Sequence, residues 1–104
     1  MIKIKIADIF TDCPGGRLRI HGKWSGEEFR EKYLEKYFEN SNGESIEIDL
    51  DGTFGYPPSF LEETFGGLVR KYGYDKVQPR LIFISEEEID LETEIQNYMS
   101  EAKK

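Results

Sequence analysis

The chain has 104 residues, of which 38% are apolar and 34% charged, and a formal net charge of −7. A length of this order supports one core and one domain, residues 1–104, and no apolar run approaches the ~20 residues that a membrane-spanning helix needs. The acidic balance disfavours nucleic acid, whose phosphates demand clustered lysine and arginine.

Ile2, Ile4 and Ile6 alternate with Lys3 and Lys5, the period-two pattern of a half-buried strand, and this start lacks the long apolar centre of a signal peptide. Thr11 to Gly16 breaks the pattern with Pro14, Gly15 and Gly16. Cys13 is the single cysteine, which excludes an internal disulfide and a cysteine-built zinc site; it reads as a small buried filler in a cytoplasmic protein. Arg17 to Ile20 alternates again, and the spacing predicts an antiparallel pairing with the first strand. Arg17, Arg19 and Lys23 stand together without an acid, either as a solvated strand edge or as a contact for an anion or acidic partner. His21 has no serine, cysteine or second histidine with which to build a triad or metal site, and reads as a loop residue.

Ser25 with Glu28 spells a capping box, and Phe29, Tyr33, Leu34, Tyr37 and Phe38 form the buried stripe of a helix that stops between Asn40 and Gly43. Ile46 to Leu50 is the next strand, with Ile46, Ile48 and Leu50 facing inward and Glu47, Asp49 and Asp51 opposite. Ser59 with Glu62 spells a second capping box, ahead of a face made by Phe60, Leu61, Thr64, Phe65, Leu68, Val69 and Tyr72. Gly66 and Gly67 each cost up to ~1 kcal/mol against alanine inside this helix, which points to close approach by the sheet or a partner. Gly73 closes it. Leu81 to Ile84 is wholly apolar, as in a strand covered on both faces, and Ser85 with Glu88 offers a third box before a weaker stripe of Leu91, Ile95, Tyr98 and Met99. The sum is an α/β domain, β-β-α-β-α-β-α, with a mostly parallel four-stranded sheet and an N-terminal antiparallel hairpin.

One stretch suggests chemistry. Asp49-Leu50-Asp51-Gly52-Thr53 resembles the nucleophile strand of haloacid-dehalogenase-type phosphatases, in which one carboxylate attacks a phosphoryl group and a second, two residues on, handles the proton. Asp49 and Asp51 would then share a Mg²⁺ ion with further acids from later strands. Only one helix, one strand and one helix follow Thr53, so no later strand supplies those acids. The competing reading is a turn out of the strand through Asp51, Gly52 and Gly55.

Two longer motifs change the comparison: Ser25-Gly26-Glu27-Glu28-Phe29-Arg30, and the run from Asp51-Gly52-Thr53 through Gly55-Tyr56 and Ser59-Phe60-Leu61-Glu62-Glu63 to Phe65-Gly66-Gly67-Leu68. With Leu81 to Ser85, they resemble the STAS-like domain of unknown function family from Pro14 to about Ser85. The resemblance implies an α/β fold akin to anti-sigma factor antagonists. Those are non-enzymatic switch modules that bind a histidine-kinase-type ATPase or anti-sigma factor and accept phosphate on a serine at a helix start. By position that serine is Ser59, although Tyr56-Pro57-Pro58-Ser59-Phe60 stands where those domains usually have Asp-Ser-Ser-Gly.

From the residues themselves, Ser59 is either a helix cap, worth about 1 kcal/mol, or a phosphoacceptor at the positive helix end. Phe54, Tyr56, Pro57, Pro58 and Phe60 place three aromatic rings and two stiff prolines at a strand's carboxyl end, where open α/β sheets bind ligands. The reading is a STAS-like regulatory domain without a cofactor, contacting a protein partner through this loop and, secondarily, through Arg17 and Arg19. Its alternatives are the phosphohydrolase on Asp49 and Asp51, and a small-anion or nucleotide site at the Ser59 helix end without turnover.

Overall fold

The computed structural model describes residues 1–39 and 43–103. Strands β1 (Ile2–Lys5), β2 (Ile46–Asp49) and β3 (Leu81–Ile84) form one parallel sheet in that order, with Ile4 opposite Ile48 and Ile48 opposite Phe83. Helix α1 (Ile6–Ile9) leaves β1 without a loop. Helix α2 (26–39) crosses from β1 to β2. Helix α3 (58–72), followed by α4 (Tyr74–Val77) and a 3₁₀ turn (Gln78–Arg80), crosses from β2 to β3, and α5 (Leu91–Ala102) follows β3.

Both crossovers step the same way across the sheet, so their shared right-handed sense puts the helices on one face. That face is the core: Ile4, Ile46, Ile48, Leu81 and Phe83 meet Phe29, Leu34, Phe38, Phe60, Phe65 and Leu68. The predicted stripes of all three long helices are the buried ones, with Tyr33, Tyr37, Tyr72 and Tyr98 packed at the margin. The other face is open. Its rows run Lys3, Glu47, Ile82 and Lys5, Asp49, Ile84, and Ile82 is exposed. β3 is therefore an edge strand covered on one face, and the continuous apolar run does not mark a strand enclosed on both.

Among the described residues the sheet has three strands, and the expected antiparallel hairpin is absent from it. Arg19–His21 forms a 3₁₀ turn instead. The carbonyls of Gly16 and Arg17 accept from the N–H groups of Gly26 and Glu27 at 2.9 and 3.0 Å, so the free amides of the α2 start engage this segment. β1 pairs with β2, whose longer run of inward apolar residues gives it more to bury. Cys13 is exposed and does not fill the core. Asn40 to Asn42, in the expected helix stop, lie outside the described residues; Gly43 has φ +73°, as such a stop requires. Among the described residues, no helix is long and apolar enough to cross a membrane.

The two crossover helices each contain a π turn where they meet, Arg30–Leu34 in α2 and Glu62–Gly66 in α3. A π turn leaves a carbonyl poorly served by its own helix. In α3 the Gly67 N–H is shared among the Glu62, Glu63 and Thr64 carbonyls, and Arg30 adds a donor. Its Nη1 donates to the Glu63 carbonyl at 2.9 Å and to the Glu63 carboxylate at 2.6 Å, while Nε donates to Glu35 at 2.9 Å. A Cβ on Gly67 would stand 2.4 Å from that Nη1. Gly67 is explained by the close approach of Arg30 from α2, whereas a Cβ on Gly66 would stand 2.7 Å from the Glu62 carboxylate, itself bonded to Arg70; neither glycine is required by the sheet beneath.

Around this pin the charges close into a network. Lys71 reaches Glu35 at 2.7 Å, Arg70 reaches Glu62 at 2.6 Å, and Arg17 also bonds Glu62. Burial opposes ionisation of Glu35, but Lys71 and Arg30 together outweigh it and hold the carboxyl below its ordinary value. Arg70, with Arg17, holds Glu62 down as well. Both folded values lie below the unfolded one of 4.5, so the stabilisation is complete above that pH and is lost as pH falls beneath it. The unfolding temperature is expected to drop between about pH 5 and about pH 3, with a shallower drop in Glu35→Gln. Thermal melts followed by circular dichroism check this, and parallel curves would contradict it.

Candidate functional site

The carboxyl ends of the three strands open into loops that hold one another. The Asp49 carboxylate accepts from the Asp51 N–H at 3.0 Å, turning the chain out of β2. Gly52 and Gly55, at φ +93° and +130°, complete the turn in a region other residues rarely adopt. Asp51 then accepts from the N–H groups of Glu86 and Glu87, each at 3.0 Å, and Glu87 returns the contact by accepting from the Gly52 N–H at 2.8 Å. The β2 loop is thus latched to the β3 loop. On its other side the Phe54 N–H donates to the Asp12 carbonyl at 2.8 Å, and the Gly15 N–H donates to the Trp24 carbonyl at 2.8 Å. One belt of hydrogen bonds, backbone to backbone on one side and carboxylate to backbone on the other, runs from Trp24 to Glu87.

Asp49 and Asp51 therefore hold loop geometry. Among the described residues, no group of three histidines, cysteines or carboxylates is arranged to hold a metal ion, so the acid set that a Mg²⁺-dependent phosphohydrolase needs is not assembled around them. Tyr56 sits close by. Its hydroxyl donates to the Leu50 carbonyl at 2.8 Å, and burial, reinforced by Asp49, Asp51 and Glu88, pushes the phenol up and keeps it neutral.

The stretch from Phe54 to Phe60 divides. Tyr56 packs on Phe60 at 5.8 Å, and Phe60 is fully buried beside Phe29. Pro57 is half-buried and Pro58 exposed, whereas Phe54 is 86% exposed. Ser59 does not cap α3. Pro58 takes the first helical position, for which its fixed φ suits it, so the cap moves back to Pro57, whose carbonyl accepts from Phe60 and Leu61 at 3.0 and 3.3 Å. Ser59 is left half-exposed one turn from Glu62 and Glu63, whose charges Arg17, Arg30 and Arg70 already engage. Of the remaining boxes, Ser25 accepts from the Glu28 N–H at 3.0 Å as expected. The Ser85 hydroxyl instead donates to the Glu88 carbonyl, and α5 begins at Leu91.

Arg17 and Arg19 lie apart from this belt and are paired, Arg17 with Glu62 and Arg19 with Glu31 at 3.0 Å. His21 is exposed in the 3₁₀ turn. The residues that sequence reasoning missed are Ile9, Trp24 and Ile89. All three are exposed, Ile89 by 78%, and they lie on the belt or next to it along the chain. Trp24 holds φ +63°, a left-handed conformation costly for a side-chain-bearing residue, with its ring edge-on to Phe10 at 5.3 Å. The flanking Gly22-Lys23 and Ser25-Gly26 in the sequence were the signal that this tryptophan belongs to a loop.

This is a two-layer α/β domain: a three-stranded parallel sheet, helices on one face, and a tied rim of loops at the strands' carboxyl ends. The sequence model of the family described as a STAS-like domain of unknown function matches residues 25–91, and the chain belongs to that family. Neither a curated protein nor a solved structure matches the chain.

Proposed function

We propose that this domain is a non-enzymatic regulatory module of the cytoplasm that acts by binding a protein partner through the loops at the carboxyl end of its sheet. The observation that carries the reading is where the exposed large apolar side chains fall. Among the described residues, Ile9, Trp24, Phe54 and Ile89 gather at the rim, and only Met1, Ile20 and Ile82 are exposed elsewhere. Apolar surface held out on a braced loop costs solvation unless another molecule covers it. The proposed partner is a histidine-kinase-type ATPase or an anti-sigma factor, a reading supported by the STAS likeness. Ser59, released from capping and half-exposed beside Phe60, is the proposed phosphoacceptor that would switch the contact.

A photo-cross-linking residue at position 54, expressed in the cells that make the protein, tests this. It is expected to trap a discrete protein adduct, whereas the same probe at exposed position 36 on α2 traps none. No adduct from position 54 sinks the reading. Intact mass of the purified chain tests the switch: one added phosphate is expected, and it disappears in Ser59→Ala.

A further inference from the structure

The charge on the rim specifies the partner's chemistry. The segments that leave the three strands, 6–16, 50–57 and 85–90, carry Asp8 and Asp12, Asp51, and Glu86 to Glu88 with Asp90, and contain no lysine, arginine or histidine. On the facing sides of α2 and α3, Glu28, Glu31, Glu35, Glu62 and Glu63 form ion pairs. Glu27, Glu39, Asp75, Glu92, Glu94 and Glu101 form none among the described residues, but of these Glu27, Glu39, Asp75 and Glu101 have a lysine or arginine close by in the chain. None of the rim carboxylates forms an ion pair among the described residues. Asp51 and Glu87 accept from backbone N–H groups, which fixes them in place without cancelling their charge. Lys5, whose ammonium lies beside Gly52, and Lys23, next to Trp24, are the neighbouring cations.

We infer that the partner presents a cationic segment with aliphatic or aromatic anchors, which docks across Trp24, Phe54 and Ile89 with its basic groups against the rim carboxylates. This rests on the partner-binding reading and narrows it. Uncompensated charge beside exposed apolar side chains draws in a basic partner, rejects an acidic one, and leaves short-range affinity to Trp24, Phe54 and Ile89. The same field turns away anionic membrane surfaces and nucleic acid.

Trp24 is the single tryptophan and is 41% exposed, so its emission reports occupancy of the rim. The probe is an amphipathic peptide of roughly fourteen residues built from lysine and leucine, compared with its glutamate and leucine counterpart. The lysine peptide is expected to shift Trp24 emission saturably and to bind at least roughly tenfold tighter than the glutamate peptide. Its affinity should fall at least roughly tenfold between about 50 and about 500 mM salt. Phe54→Ala should weaken it at least roughly fivefold, as should the combined Glu86→Gln, Glu88→Gln and Asp90→Asn, whose carboxylates make no hydrogen bond among the described residues. Glu31→Gln, on the helix side, should change nothing. Equal binding of both peptides, or binding that ignores the rim substitutions, overturns the inference. If both bind equally but depend on Phe54, the charge rule falls while the partner-binding reading stands. If neither binds, the charge rule falls too, and the position-54 cross-link decides that reading by itself.

Discussion

Replacing Gly26 by alanine is expected to destabilise the domain by about 2 kcal/mol, lowering its melting temperature by roughly 10 °C. In an ordinary helix the same change would gain up to about 1 kcal/mol. The reversal comes from the helix crossing. A Cβ at Gly26 would stand 2.6 Å from the Phe60 carbonyl, 3.0 Å from the Thr64 hydroxyl and 3.2 Å from the Glu63 Cβ. The first of these is backbone and cannot swing away, so α2 would have to lift from α3 and loosen the rings of Phe29 and Phe60, now 6.1 Å apart. Gly16→Ala is the control, because nothing lies within 4 Å of its Cβ position. Denaturant unfolding with an unchanged slope measures the difference. A Gly26→Ala protein as stable as the parent would show that the helices do not cross this closely.

The second large effect is expected at Arg30. Arg30→Ala should cost about 3 kcal/mol, the range for breaking a buried ion pair from one side. The Arg30 side chain is 11% exposed, and its loss strips one partner each from the Glu35 and Glu63 carboxylates. It also removes a donor to the Glu63 carbonyl in the π turn. Arg30→Lys should recover less than half of the loss, since a single ammonium cannot serve Glu35 and the two Glu63 oxygens with the planar geometry of the guanidinium. Near-full stability in the lysine variant would mean that charge alone matters, and that the π turn of α3 needs no donor from α2.

The helices were legible because burial imposes a period. Phe29, Leu34 and Phe38 in α2, and Phe60, Leu61, Phe65, Leu68 and Val69 in α3, are buried as their spacing predicted. Ile46 and Ile48 are buried in β2 for the same reason. The exposed loop at Phe54 could be placed at a strand's carboxyl end, and Gly52 and Gly55 could be read as its turns. Where the period is short, it misled. The alternation of Arg17 to Ile20 spans four residues, and amides at the start of α2 outcompeted a sheet edge for their carbonyls. The Ser59 capping box failed because Pro58 already suited the first helical position, a competition between neighbours that a four-letter motif does not contain.

Local sequence by itself determined which faces are apolar, which glycines turn the chain, and that the strand-ending loops carry acid without base. Only the tertiary structure decided that both crossovers fall on one side of the sheet, leaving the other face open. It alone brought Arg30 to the π turn of α3, and Trp24, Phe54 and Ile89 to one connected rim. The reason is range. Periodicity and capping act over a few residues, whereas the ion pair of Arg30 with Glu63 and the bonds of Asp51 to the β3 loop join positions 30 or more residues apart. Their partners are chosen by how the helices and strands pack, not by their neighbours in the chain.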